Sequence, residues 1–348
     1  MKSFIASVFL FLVLGKLITF SIALADEFTS KMSTCELIRG AVDMGSGTTK
    51  IKVARVNKCQ RSIAKILFEK NIKISYQADL DRHKSTQFSK EILIAGERAI
   101  KDVMLEIART LLPHDQIEWK GVATAAFRSA KNASSFILAL NKKYPINIRI
   151  LNQVEEAILG YHSAFVYEEA PVNAVVWDIG AGSGQWTTQI KGEYHFYLSE
   201  LASETFKDRI IKEIKKNDQL KTPNPFNKEQ RKQAEEIIYQ EVLKINPKIK
   251  EALHHKVKVI GIGSVHFFSV LGQIHGTKNP KKMNTYTIDQ VETSIQGRLG
   301  QTDQQIGGEY AATDVSNLIY VAAFMKALDI KNIVVRKINL NDGLLLNY

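Results

Sequence analysis

An apolar run through residues 38–43 and an alternating one through residues 50–56 read as two β-strands, and Ser46-Gly47 between them predicts a hairpin turn. A third strand follows over residues 62–68. Next comes an amphipathic helix carrying Phe88, Ile92, Ala95, Ala99, Val103, Ile107 and Leu111 on one face at helical spacing. A strand over 117–123, a helix over 133–143, a strand over 146–151 and a helix beginning near Gln153 complete the series. The order then starts again. An apolar strand ends at Asp178, strands follow over 185–190 and 194–198, helices over 203–216 and 228–243, and a strand over 256–260. Three strands followed by alternating helix and strand, met twice, predict two duplicated α/β domains flanking a cleft.

Each series is headed by the same short sequence. The first reads Asp43-Met-Gly45-Ser46-Gly47-Thr48, the second Asp178-Ile-Gly180-Ala181-Gly182-Ser183. Glycines let such a turn adopt backbone angles closed to other residues and present N–H groups to an anion. An aspartate at the strand end sets a carboxylate beside that anion, where it can hold Mg²⁺ directly or through water. One copy is a common hairpin. Two copies, each ending a buried strand, predict paired phosphate loops facing each other across the cleft.

The first residues form an address. Lys2 precedes an apolar stretch, and Ala23-Leu24-Ala25 offers a small-x-small cleavage site, so residues 1–25 read as a secretory signal peptide. The uninterrupted apolar stretch is shorter than the roughly 20 residues a spanning helix needs, and no later segment is longer and apolar enough, so no stable membrane anchor is expected. The expected location is periplasmic or secreted. Export changes how the two cysteines read. Pairs across the first hairpin sum to 93 or 94, and Cys35 with Cys59 gives 94, so a disulfide is predicted at its open end. A net charge of +11 should attract polyanions. Nucleic acid is not expected among them, since no recognition motif occurs and aromatic residues do not interleave the basic ones.

Further segments carry a resemblance. They are Ala123-Thr124-Ala125-Ala126-Phe127-Arg128, then Ile150-Leu151-Asn152-Gln153-Val154-Glu155-Glu156-Ala157, then Gly261-Ile262-Gly263-Ser264, and near the end Asn341-Asp342-Gly343-Leu344-Leu345. With the two loops, and in this order, they resemble the exopolyphosphatase / guanosine-pentaphosphate phosphohydrolase (Ppx/GppA) family of the actin-like ATPase superfold, a ribonuclease H-like α/β architecture. The resemblance implies domain I over 26–165, joined by the C-terminal segment 320–348, and domain II over 166–319. It implies a hydrolase of phosphoanhydride bonds, exported by the reading of residues 1–25, that releases terminal orthophosphate from inorganic polyphosphate or a phosphorylated nucleotide such as guanosine pentaphosphate, and it leaves a homodimer open.

By the same resemblance Glu156 is the catalytic carboxylate that orients or deprotonates the attacking water, and Arg128 clamps the terminal phosphoryl oxygens bidentately. Asp43 and Asp178 are assigned to Mg²⁺ or another divalent cation. Gly45, Ser46 and Gly47, with Gly180, Ala181, Gly182 and Ser183, are assigned to phosphate through their N–H groups. The turn at Gly261 to Ser264 either faces phosphate or caps a helix. The chain also departs from the family pattern: Gln185 stands where a glutamate is usual, Ala181 where a glycine is preferred, and Lys50 where an arginine is usual. The segment 198–206 lacks the glycine and basic residue expected there. Gln185 supports a rival reading, a weak or inactive phosphate- or polyphosphate-binding protein of the same fold. A sugar kinase would need ATP, which export disfavours.

Overall fold

Strand alternation decides which side chains of the first hairpin meet the rest of the molecule. The computed structural model describes residues 35–83, 85–111, 116–168, 170–171, 174–276 and 284–348. The expected signal peptide and its cleavage site lie outside the described residues. Strands β1 (Glu36–Met44) and β2 (Thr48–Asn57) pair antiparallel with Asp43 opposite Lys50, and β3 (Ser62–Lys73) pairs antiparallel with β2. Val42, Met44, Ile51 and Val53 point to one face of this sheet. There they bury against α2 (Lys90–Thr110), through Ala99, Ile100, Val103 and Ile107. Ala41, Ala54 and Val56 point the other way. Asp43, Lys50 and Lys52 share their parity and so share their face.

The first domain continues with α1 (Tyr76–His83), then β4 (Glu118–Ala123), α3 (Ala125–Ser129), α4 (Ala133–Lys143) and β5 (Ile148–Ile150). Its sheet has the order β3-β2-β1-β4-β5, with β4 parallel to both β1 and β5. After α5 (Gln153–Ser163) the second domain repeats the plan. It holds β6 (Val175–Ile179), β7 (Gly184–Ile190), β8 (Glu193–Ser199), α6 (Ser203–Ile210), α7 (Lys228–Leu243), α8 (Pro247–His254) and β9 (Val259–Ile262). A π-helical turn (Ile211–Lys215) extends α6, and the predicted strand over 256–260 starts three residues later than expected. Another π-helical run (Val265–Leu271) leads to α9 (Gly272–His275), then β10 (Thr285–Thr287), α10 (Ile288–Gln296), α11 (Asp303–Ile306), α12 (Ala311–Ala327), β11 (Asn332–Val335) and α13 (Leu340–Leu345).

The second sheet runs β10-β11-β9-β6-β7-β8. Apart from the edge strand β10, its order β8-β7-β6-β9-β11 matches β3-β2-β1-β4-β5, with the same parallel and antiparallel neighbours. The duplication expected from the sequence is therefore in the topology itself. One expectation needs correcting. The segment 320–348 does not join domain I as a unit: α12 is buried among side chains of the second core, and β11 is a strand of the second sheet. Only the last stretch crosses over, where Ile338, Leu340, Leu344 and Leu345 bury against Ala41, Ala54, Val56 and Val122. A buried pair anchors it, Lys52 Nζ donating to both carboxylate oxygens of Asp342 at 2.8 and 2.9 Å.

The predicted disulfide is present, with Cα atoms 5.4 Å apart. The ladder sums to 93, so the residue opposite Cys35 is Lys58, whose N–H donates to the Cys35 carbonyl at 2.8 Å. The side-chain oxygen of Asn57 accepts from the N–H groups of Cys59 and Gln60, curling the chain so that Cys59 reaches back to its partner.

Candidate active site

Helix α5 lies between the two sheets, and this fixes the site. Leu159 packs on the first sheet's inner face beside Ala41 and Val122, while Tyr161 and Ala164 pack on Val176, Ile260 and Ile262 of the second. Asp43 has the parity of Ala41, and Asp178 that of Val176, so both aspartates point from opposite sheets toward α5. A Cβ placed on Gly160 would lie only 3.4 Å from Asp178 Oδ2. One turn earlier on the same helix stands Glu156. The helix start is fixed by Asn152, whose side chain accepts from the Glu155 N–H while Glu155 returns a bond to the Asn152 N–H.

Asp43, Asp178 and Glu156 line one cavity of about 70 Å³, walled by Gly45, Ser46, Gly47 and by Gly180 to Ser183. It adjoins a groove of about 1080 Å³ bordered by Arg128, Gln153, Ser199, Arg209, Glu241 and Lys244. Ala125, Gly182 and Ser183 line both spaces and form the neck between them.

The glycines serve a different purpose from the one expected. None of Gly45, Gly47, Gly180 and Gly182 has a positive φ. Gly47 and Gly182 are small because the two loops touch: a Cβ on Gly182 would meet Ser46 Oγ at 2.7 Å, and one on Gly47 would meet Ala181 Cβ at 3.3 Å. A Cβ on Gly45 or Gly180 would instead crowd its own hairpin, at 3.1 Å from the Thr48 carbonyl and 3.0 Å from the Ser183 carbonyl. The strained position is Gly263, with φ +88°, where a Cβ would lie 2.6 Å from Asp178 Oδ1. Gly263 and Ser264 line the cavity, so their turn belongs to its wall. The N–H groups of Gly45 and Gly180 close their own hairpins on the carbonyls of Thr48 and Ser183, each at 3.0 Å. These two N–H groups are therefore taken up within the loops themselves.

Ser46 has a further duty, since its Oγ accepts from the Ala126 N–H at 3.0 Å and so ties the first loop to the start of α3. That short helix carries Arg128. Its Nη1 donates to Glu156 Oε2 at 2.5 Å and to the Leu151 carbonyl at 3.2 Å, and its Nη2 to Ser183 Oγ at 3.3 Å. Arg128 borders the groove and not the small cavity. The bidentate grip on a terminal phosphoryl group expected for it is thus not the arrangement seen, because Nη1 is already committed to Glu156.

Charge at the site is finely set. Burial raises the pKa of Glu156, the Arg128 guanidinium opposes that rise, and Asp43 adds to it. Burial, reinforced by Glu156, pushes Asp178 up to about 7. Lys50, noted above only as a departure, is a second cation beside Arg128 among these carboxylates, donating to Asp43 Oδ2 at 3.0 Å. Burial pulls its pKa down, but Asp43, then Asp178 and Glu156, outweigh that and leave it raised. A signal was available: 43 and 50 sum to 93, which sets the two side chains opposite each other in the hairpin.

Among the described residues no three histidine, cysteine, aspartate or glutamate side chains form a group that could hold a metal by themselves. Asp43 Oδ1 is nevertheless buried with no hydrogen-bond partner, and it belongs to a carboxylate on the cavity wall. Two carboxylates completed by substrate oxygens and water are a common setting for Mg²⁺, so the donor set fits such an ion. Among the described residues no helix is long and apolar enough to cross a membrane.

Comparison with known proteins agrees with this fold. A family model described as the Ppx/GppA phosphatase family matches residues 53–348. The solved structure of the Aquifex aeolicus PPX-GPPA enzyme superposes with a TM-score of 0.69 at 14% identity, over 90% of this chain and 100% of its own. An exopolyphosphatase from Cytophaga hutchinsonii gives 0.69 at 15% identity, over 88% and 96%. An exopolyphosphatase-like protein gives 0.70 at 17% identity, over 90% and 98%. At such identities these likenesses speak for the fold.

Proposed function

From the premise that this chain belongs to the Ppx/GppA phosphatase family, we propose that it is an exported phosphohydrolase releasing terminal orthophosphate from inorganic polyphosphate. The observation that carries this reading is the convergence of Asp43, Asp178 and Glu156 on one small cavity walled by both glycine loops. The terminal phosphoryl group would sit there among the N–H groups of Ser46, Gly47, Ala181, Gly182 and Ser183. The remaining substrate would pass the neck into the groove. Polyphosphate is favoured over guanosine pentaphosphate by the net charge of +11, which suits a long polyanion. The Cys35–Cys59 bridge supports export, since such bonds persist in oxidising compartments.

Glu156 acts as the base. Its raised pKa brings it toward the working pH, and the ion pair with Arg128 fixes the carboxylate beside the cavity, where it orients a water and takes its proton. Arg128 and Lys50 offset the charge of the bound anion. Asp43 and Asp178 would hold a divalent cation, which supplies further charge neutralisation when bound. Phosphoryl transfer needs little beyond such positioning and charge stabilisation.

The reading is tested by orthophosphate release from polyphosphate and from guanosine pentaphosphate, with Mg²⁺, Mn²⁺ and chelator arms. Release from polyphosphate that stops in chelator is expected; tight binding of polyphosphate with no release under any cation would favour the phosphate-binding reading that Gln185 supports.

A further inference from the structure

The geometry points to Gln185 as a positioning residue that makes the Ser183 hydroxyl a hydrogen-bond donor to a phosphate oxygen at the neck between cavity and groove. This rests on the reading of the cleft as a phosphate site. Ser183 Oγ accepts from Gln185 Nε2 at 3.1 Å and from Arg128 Nη2 at 3.3 Å. A hydroxyl has two lone pairs and one hydrogen, so two such donors leave only the hydrogen for a third partner. Both Ser183 and Gln185 are buried, and Ser183 lines both spaces at the neck, where an anion is the acceptor the site would offer.

The identity of residue 185 decides this polarity. A carboxylate there can only accept, so it would draw the Ser183 hydrogen to itself and turn the lone pairs toward the anion. It would also add a negative charge to a wall that already carries Asp43, Asp178 and Glu156. The amide does neither. The duplicated architecture supports the assignment independently. Gln185 stands opposite Asp178 in the second hairpin as Lys50 stands opposite Asp43 in the first, and both present a nitrogen donor on the cavity side of the sheet. In the first half that donor reaches the aspartate itself, and in the second it reaches Ser183 of the adjoining loop.

The test is binding of inorganic phosphate by calorimetry to the purified protein and to S183A, Q185E, Q185M and the double variants S183A/Q185E and S183A/Q185M. Gln185→Met is included because it keeps length and volume without burying a charge, should Q185E fail to fold. Q185E is expected to weaken phosphate binding about tenfold or more, and Q185M and S183A by several-fold each. In the S183A background Q185M should cost nothing further, and most of the Q185E loss should vanish. Additive losses would overturn the assignment, as would Q185E binding phosphate as well as the wild type, the result expected if the amide oxygen accepted the Ser183 hydrogen. Wild-type protein that binds no phosphate would overturn it too. Turnover is not the readout, so the two readings separate: coupled phosphate binding without hydrolysis sinks the hydrolase and keeps Gln185, whereas hydrolysis without coupling does the reverse.

Discussion

Asp178 keeps its proton far above the ordinary carboxylate range, its pKa pushed up to about 7. Burial beside Glu156 is the cause, and the sign of the consequence follows. The folded protein holds this proton in a window where the unfolded chain has lost it. The stabilisation is therefore complete below the unfolded value and disappears as pH rises through about 7. Asp178→Asn removes the titration. Its melting temperature relative to wild type, measured without metal, should climb from about pH 5 to about pH 8 by several degrees, and a constant difference would contradict the burial argument. A cation bound at Asp43 and Asp178 would lower the same pKa, so the climb should shrink when Mg²⁺ is added. The positions of Asp43 and Asp178 at their strand ends were legible in the sequence. The way Arg128 divides its donors between Glu156, Leu151 and Ser183 was not, because it depends on the relative placement of β4, α5 and the second loop.

At the scale of elements, the two hairpins were readable because strand pairing is a local rule. A turn at Ser46-Gly47 fixes the register, and the register placed Cys35 near Cys59 and Lys50 opposite Asp43. What local rules misjudged was the reason for Gly47 and Gly182, which is contact between two loops that lie far apart in the chain. That contact is testable. Gly182→Ala puts a methyl 2.7 Å from Ser46 Oγ, an atom already held by the Ala126 N–H. Calorimetry should show at least tenfold weaker phosphate binding, with a stability loss of about 1–3 kcal/mol in denaturant melts. Unchanged phosphate binding would mean the loops can part freely. The disulfide belongs to this scale as well. Closing a separation of 24 residues, it should contribute about 3 kcal/mol, read as the drop in unfolding free energy when both cysteines become serine. Helix α1 went unread, since Tyr76–His83 shows no clear apolar periodicity in so short a span.

The whole molecule is two copies of one plan clasped by two crossing elements, α5 between the sheets and α13 returning to the first of them. The repeated order of strands and helices made the duplication visible in sequence. The course of the chain after β9 was hidden, because α12 and β11 join the second core through contacts that no short window records. Net charge acts at this scale too. The KM for long polyphosphate should rise several-fold between about 50 and about 500 mM salt while kcat changes little, because screening weakens capture more than chemistry. The most direct measurement compares orthophosphate release from polyphosphate by the wild type and by Glu156→Gln, with polyphosphate affinity determined for both. The expected result is a fall in kcat of about 10²–10⁴-fold with affinity retained. Equal rates in the two proteins would contradict a Glu156-held water as the attacking group.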